Sequence, residues 1–197
     1  MSNPPVRPSA SRADASVCYD STVLRPFPFY PACPVCGERT VNPGALEVRW
    51  AWDEERRRAV GRFRPGPDHT GYAGRLHGGL LSALLDECLA WACAVEKRAY
   101  CVTGDLHVRY RSPAHLGETL EVGGWTVSSW GSYVRAQGEV LAPSRTVVAS
   151  ATGTFAALSR AESEALQGAL RMRPGDLDVL ADCAGAAPPA PPLPETR

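Results

Sequence analysis

The residues with the clearest chemical potential are two adjacent carboxylates, Asp86 and Glu87, in an apolar segment that follows His77-Gly78-Gly79. The segment predicts a helix of about five turns. A helix that is apolar on nearly every side is usually buried. Buried carboxylates are costly unless they are paired, hydrogen-bonded or used in chemistry. Glycine amides at a helix N-terminus attract negative charge. An oxyanion site and a carboxylate on one helix are the parts that acyl transfer requires.

Each of these residues also has a purely structural interpretation. Asp86 is the candidate general base, or else an acid that caps a neighbouring helix or pairs with an arginine. Glu87 points about 100° away around the helix, so it either replaces Asp86 as the acid or lines the pocket. His77 either shapes the loop, takes part directly in chemistry, or is simply the first residue of the helix.

Composition limits the classes of function. The chain has 197 residues, with 21 Lys and Arg against 21 Asp and Glu. This balance argues against a general nucleic-acid or membrane-surface binder. We expect no apolar run of the roughly 18 to 20 residues that cross a bilayer. The first fifteen residues have no apolar signal core, so we expect a cytoplasmic protein. Seven cysteines fit reduced thiols better than a disulfide framework.

The chain divides into four predicted parts. Residues 1–30 form an irregular arm, whose proline-rich stretch 26–31 cannot be helical or lie inside a sheet. Residues 31–160 form the folded domain, and 161–173 a short helix that Ser159 caps. Residues 174–197 are rich in Pro and Ala, so we expect a disordered tail.

The domain itself predicts an α+β fold. Strands are expected at 45–53, 58–63, 101–111, 118–128, 131–141 and 146–158, with a loop at 64–76 and the helix at 77–97. Gly123-Gly124 is expected to form a bulge. Consecutive strands with short links make an antiparallel sheet. A curved sheet of about six strands around the helix, with a second subunit over the rest, would bury the helix on all sides.

Cys33-x-x-Cys36 has the spacing of half a zinc site or of a redox pair. No second Cys-x-x-Cys follows, so a structural turn without metal is our expectation. A metal site that Cys18 or His69 completes is the alternative. Three further cysteines are interpreted as small apolar core residues, namely Cys88, Cys93 and Cys101.

Three blocks resemble the hotdog-fold acyl-CoA thioesterases of the phenylacetate-pathway (PaaI-like) type. The first is Cys-Pro-Val-Cys-Gly at 33–37 with Asn-Pro-Gly-Ala-Leu at 42–46. The second is His-Gly-Gly at 77–79 with the acids at 86 and 87, and the third is the strand 103–113 that ends in Arg-Ser-Pro. The match covers roughly residues 33–158, and the order of elements agrees throughout.

The resemblance implies roles for individual residues. The amides of Gly78 and Gly79 would bind the thioester carbonyl, and Asp86 would act as general base or as nucleophile. Thr103 and Ser82 would position the water, and the histidine before the glycines would orient the loop. The active site would lie between two subunits of a dimer or tetramer, with the acid of one chain facing the glycines of its partner. No metal or organic cofactor is expected.

The resemblance also suggests contacts with the substrate. Arg109 and Arg111 would hold the phosphates of coenzyme A or of a carrier-protein arm, unless they are solvated charges. Trp91 would limit the acyl pocket, with Glu87 and Ser82 beside it. The family often has an asparagine six residues before the histidine, and this chain has Gly71 there. His69 or Tyr72 would substitute for the asparagine.

The leading hypothesis is therefore a thioesterase that acts on an acyl-CoA or acyl-carrier-protein thioester. A second hypothesis is a hotdog enzyme that dehydrates, isomerises or cyclises a carrier-bound acyl chain in secondary metabolism. A third is an acyl-CoA binding module without catalysis, although such a module has no need of the helix carboxylates.

Overall fold

A 20-residue helix, α1 (Gly78–Lys97), packs against a seven-stranded antiparallel sheet in the computed structural model, which describes residues 24–182. The strands are β1 (Leu24–Pro26), β2 (Trp50–Asp53), β3 (Arg58–Phe63), β4 (Thr70–Tyr72), β5 (Arg75–Leu76), β6 (Cys101–Tyr110), β7 (Leu120–Trp130), β8 (Tyr133–Leu141) and β9 (Val147–Ala157). The sheet order is β1-β2-β3-β7-β8-β9-β6, and β4 and β5 form a separate hairpin. A second helix, α2 (Arg160–Ala169), follows the sheet. This is the predicted helix and antiparallel sheet, with one strand more than expected.

The helix lies so close to the sheet that two strands need glycine at the contact. A Cβ at Gly124 would lie 2.9 Å from Leu89 Cδ2 and 3.1 Å from Cys88 Sγ. A Cβ at Gly138 would lie 2.9 Å from the same Leu89 atom. The predicted bulge at Gly123-Gly124 is wrong, because both residues pair in regular register and the irregularity of β7 lies between Thr126 and Ser128. These glycines allow close packing of helix and sheet.

By length and composition alone, α1 could cross a membrane, since an 18-residue window of it has a mean hydropathy of 1.4. The expectation that no segment reaches that length is therefore wrong. In the structure the helix is a core element. Leu84, Leu85, Cys88 and Leu89 are completely buried, and α1 packs on the four long strands β6 to β9.

The predicted irregular arm contains an edge strand. Leu24 pairs with Asp53, and Pro26 pairs with Ala51, a position that suits proline because an edge strand leaves one row of N–H groups unpaired. Phe27 is buried and stacks on Trp91 with 4.5 Å between ring centroids. The first 23 residues of the arm, with Cys18, lie outside the described residues.

Strand β2 begins five residues later than predicted. The N–H groups of Leu46 and Val48 donate to the carbonyls of Pro34 and Val35. Residues 45–49 therefore pair with the turn at 33–37 instead of the sheet. This contact brings the Cys33-x-x-Cys36 segment over the helix.

The C-terminal helix ends at Ala169 and not at 173. Its N-cap is Ser159, whose hydroxyl accepts the N–H of Glu162 in a capping box. The expected disorder of 174–197 is wrong for 174–182. Leu177 and Val179 are buried there, and the N–H of Leu177 donates to the Pro26 carbonyl at 2.7 Å. Residues 183–197 lie outside the described part of the chain.

Candidate active site

Asp86 lies on the side of α1 that meets β6. Thr103 Oγ1 donates to Asp86 Oδ1 at 2.7 Å. The carboxylate is partly exposed, and Thr103 is exposed. This pair brings together two of the predicted catalytic residues, 17 positions apart on the consecutive elements α1 and β6. A carboxylate held by one donor and open on its other side can accept a proton from a water molecule.

The N-terminus of α1 carries the predicted oxyanion site. His77 is the N-cap, and its Nδ1 accepts the N–H of Gly79 at 3.0 Å. The amide of Gly79 is thus engaged by the cap, which corrects the prediction that both glycine amides bind a substrate oxygen. The N–H of Gly78 lies in the first turn, where no intrahelical acceptor exists. No hydrogen bond found within residues 24–182 uses it. His77 therefore shapes the loop, as its loop-shaping interpretation predicts.

Tyr110 contacts the N-terminus of α1. It was not among the predicted site residues. Its hydroxyl donates to the Gly78 carbonyl at 3.2 Å and lies 2.7 Å from Ser82 Oγ. The Tyr110 ring lies 3.4 Å from where a Cβ on Gly78 would be. Ser82 therefore bonds to Tyr110, and its expected role in positioning water stays a prediction. The strand alternation that put Tyr110 on the inward face of β6 was the available signal.

Gly71 occupies the position of the family asparagine, and the backbone there has no room for a side chain. A Cβ on Gly71 would lie 2.9 Å from His77 Cα. That His69 or Tyr72 substitutes for the asparagine stays a prediction. Nδ1 of His69 accepts the N–H of Gly66 at 2.8 Å, and the Tyr72 side chain is 83% exposed.

Glu87 points about 100° around α1 from Asp86 and has different partners. Trp50 Nε1 donates to Glu87 Oε1 at 3.0 Å, and Cys33 Sγ lies 3.2 Å from Oε2. Burial raises the pKa of Glu87 to about 8, with a further contribution from the Cys33 sulfur. Trp91 lines the same side, in a cavity of about 280 Å³ that also includes Cys36. Glu87 and Trp91 thus belong to a second site and not to the Asp86 site.

The thiols of Cys33 and Cys36 differ strongly. A hydrogen bond from Cys36, with the N–H groups of Cys36 and Val35, lowers the pKa of Cys33 to about 5. The bond to Cys33 and burial raise the pKa of Cys36. Cys33 and Cys36 lie in a turn, as predicted, and form a cluster with Glu87. Neither His69 nor any other described residue joins them in a metal-ligating group.

Arg109 and Arg111 lie on the outer face of the sheet. They alternate along the chain with Val108 and Tyr110, and Tyr110 contacts α1 on the inner face. The two arginines line an open groove of about 810 Å³ together with Arg135. Within one chain they are therefore on the opposite side of the sheet from Asp86, and their expected contact with substrate phosphates stays a prediction.

Comparison with known proteins agrees with this architecture. Residues 73–149 match the family model of the thioesterase superfamily. Human acyl-coenzyme A thioesterase 13 is 39% identical over 56 residues, which are 28% of this chain and 40% of that protein. The orangutan (Pongo abelii) protein gives the same values. The chain thus matches about 40% of the length of these curated relatives.

Two solved structures show the same fold. The thioesterase superfamily protein RHA08564 has a TM-score of 0.58 and 27% identity, over 64% of this chain and 60% of that one. The PaaI protein of the E. coli phenylacetic acid degradation operon has a TM-score of 0.54 and 21% identity, over 58% of this chain and 82% of that one. At that identity the second likeness shows the fold alone. The chain thus has the hotdog fold, and its residues 73–149 are similar to the thioesterase superfamily.

Proposed function

We propose that this protein hydrolyses an acyl thioester, carried by coenzyme A or by an acyl-carrier protein, with Asp86 as the general base. The observation that carries the proposal is the hydrogen bond of 2.7 Å from Thr103 to Asp86. It leaves a partly exposed carboxylate on a mainly apolar helix, and the Gly78 amide lies upstream at the N-terminus of that helix. Similarity to human acyl-coenzyme A thioesterase 13 supports the reaction class.

The two parts of the site are too far apart to act on one carbonyl within a single chain. Gly78 and Asp86 are eight residues apart on one helix, which is about 12 Å along its axis. A water activated by the carboxylate and an oxyanion held by the amide must lie within a few ångströms of the same carbon. We therefore propose a homodimer in which Asp86 of one chain works with Gly78 of its partner.

The sheet edge supports this assembly. β6 is the last strand of the sheet, and within residues 24–182 only β9 pairs with it. Val102 and Tyr110 on this strand are 50% and 56% exposed. A ten-residue edge strand with exposed apolar side chains favours pairing with another chain. Pairing through β6 would bring the Thr103–Asp86 pair to the interface.

The proposed reaction needs only water and the thioester. Asp86 takes a proton from water as the oxygen attacks the carbonyl carbon. The Gly78 amide and the positive end of the α1 dipole stabilise the oxyanion. The tetrahedral intermediate then collapses and the C–S bond breaks. The sulfur takes the proton from Asp86 and leaves as the free thiol. The products are a free acid and a free thiol.

The test is free-thiol release from short-chain, long-chain and aryl acyl-CoA thioesters by the full chain. We expect Asp86→Asn to lower kcat by ~10²–10⁴-fold, because the amide cannot accept the proton. Glu164→Gln is the matched control, since this acid is exposed on α2, away from β6, and its ion-pair partner is Arg160 of the same helix. It should retain the wild-type rate.

Two results would contradict the proposal. One is an Asp86→Asn variant that folds normally and releases thiol at the wild-type rate. The other is the absence of thiol release from every acyl-CoA and from the matching acyl-carrier-protein thioesters. Water loss from a hydroxyacyl thioester without thiol release would instead favour the dehydratase hypothesis.

A further inference from the structure

A cluster of three potential ligand groups lies on a different face of α1 from Asp86. Cys33 Sγ, Cys36 Sγ and a carboxylate oxygen of Glu87 all lie within 4.8 Å of one another. In a tetrahedral zinc site, ligand atoms at about 2.0–2.3 Å from the metal are roughly 3.5 Å apart. Small side-chain rotations would therefore bring the three groups to one ion.

In the turn that carries the two cysteines, backbone N–H groups donate to the sulfur of Cys33. Cys33 Sγ accepts the N–H groups of Val35 at 3.3 Å and Cys36 at 3.4 Å. The N–H of Gly37 donates to the Cys33 carbonyl at 3.0 Å. A Cβ at Gly37 would lie 2.2 Å from that carbonyl oxygen, so the turn requires glycine there. Backbone donors aimed at a sulfur stabilise a thiolate, which is the form that binds metals.

The carboxylate of Glu87, the third ligand group, is oriented by a hydrogen bond from Trp50. Trp50 Nε1 donates to Oε1 of Glu87 at 3.0 Å, and Oε2 lies on the side of Cys33. Hydrogen bonds of this kind, from residues behind the ligands, fix ligands in metal sites. Arg49 donates to the Cys36 carbonyl at 2.5 Å, which places a positive charge beside the cluster.

We propose that Cys33, Cys36 and Glu87 bind Zn²⁺ through two thiolates and one carboxylate oxygen, with the fourth position open to the adjacent cavity. That cavity, of about 280 Å³, has mainly apolar walls that include Trp91 and Tyr100. Two sulfurs and one oxygen are a ligand set that favours zinc over magnesium or calcium. Binding releases the protons that the ligands carried. The site would tie the N-terminal segment to the central helix.

This site is distinct from the proposed catalytic centre. Asp86 and Glu87 are adjacent in sequence, but one bonds to Thr103 on β6 and the other to Trp50 on β2. The metal proposal therefore does not depend on thioester hydrolysis. Its test can be read without an activity assay.

The experiment is metal analysis of the full chain, purified without a metal-affinity tag and dialysed, by mass spectrometry and by titration with Zn²⁺ and Co²⁺. We expect about one equivalent per chain and a thiolate-to-cobalt charge-transfer band in the near ultraviolet. Cys33→Ser, Cys36→Ser and Glu87→Gln should each weaken binding by at least ~10-fold. Cys101→Ser is the matched control, because that thiol lines the same cavity but lies outside the cluster.

X-ray absorption at the zinc edge keeps the proposal testable if a cysteine variant does not fold. The wild-type protein should show two sulfur neighbours and lighter atoms in the remaining positions. Failure of the reduced protein to bind Zn²⁺ or Co²⁺ would overturn the proposal. So would Glu87→Gln with wild-type affinity, or equal loss of binding in Cys101→Ser. A Cys33–Cys36 disulfide in freshly purified, metal-free protein would instead indicate a redox pair.

Discussion

Thr103 on β6 donates its hydroxyl to Asp86 on α1 at 2.7 Å and joins the edge of the sheet to the central helix. The bond fixes one carboxylate oxygen and leaves the other for water. Thr103→Val keeps the shape of the side chain and removes the donor. A hydrogen bond to a charged group contributes about 1.5–3 kcal/mol, so we expect thiol release to slow by roughly 10–150-fold.

Thr103→Ser is the control for this prediction, because it keeps the hydroxyl and loses only a methyl group. It should retain most of the wild-type kcat. Equal rates for the valine and serine variants would show that the hydroxyl does not act through Asp86.

Tyr110 and Ser82 support the N-terminus of α1 as a pair. Their oxygens are 2.7 Å apart, and the Tyr110 hydroxyl also donates to the Gly78 carbonyl. Tyr110→Phe and Ser82→Ala should each lower kcat/KM by about 2–12-fold, the range for one neutral hydrogen bond. The double variant should lose less than the product of the two, because both changes break the same bond. Strictly multiplicative effects, measured by thiol release, would contradict a shared role.

Gly71 is required by its contact with the backbone of His77, where a Cβ would lie 2.9 Å from Cα. Gly71→Ala should therefore lower the free energy of unfolding by about 1–3 kcal/mol. Gly71→Asn should not raise activity, even though it introduces the family residue. The asparagine side chain would push His77, the N-cap residue, away from α1. Thermal unfolding and thiol release test both statements.

Gly168→Ala is the matched control for that substitution. Gly168 lies in α2, and a Cβ there would have no neighbour within 4 Å. Alanine should therefore be neutral or stabilising by up to about 1 kcal/mol. A Gly71→Ala variant as stable as this control would show that the loop accommodates the methyl group without a loss of free energy of unfolding.

The central helix and the strands that flank it were predictable because their signals are local. The apolar run set the span of α1, and the pattern of residues 101–111 predicted the strand β6. The 100° step of a helix separated Asp86 from Glu87, and the structure gives them different partners. These inferences depend on neighbours within a few residues.

The parts that the sequence did not predict depend on contacts between distant segments. Strand β1 has three residues with a proline and exists through its pairing with β2. Cys33 meets Glu87 across 54 positions in the chain, so the Cys-x-x-Cys motif was interpreted without its third partner. Gly71 was interpreted as a missing asparagine, because no local pattern reveals its contact with His77.

His69 provides a prediction about pH. Burial, with the nearby charge of Arg39, lowers the pKa of His69 from its ordinary value of 6.5. Its Nδ1 accepts the Gly66 N–H, which also favours the neutral ring. The unfolded chain therefore binds this proton more readily than the folded chain. Stability is fully present above pH 6.5 and falls as the pH drops from there towards the folded pKa.

His69→Gln should remove this part of the pH dependence. Chemical denaturation at several pH values between 7.5 and 5.5 should show a shallower loss of stability in the variant than in the wild type. His107→Gln is the control, because the His107 side chain is 81% exposed.

The ring protons of His69 should titrate below pH 6.5 in NMR spectra. A midpoint at or above that value would mean that the folded protein does not disfavour the charged ring, and the slope of stability against pH would then be unchanged by the substitution.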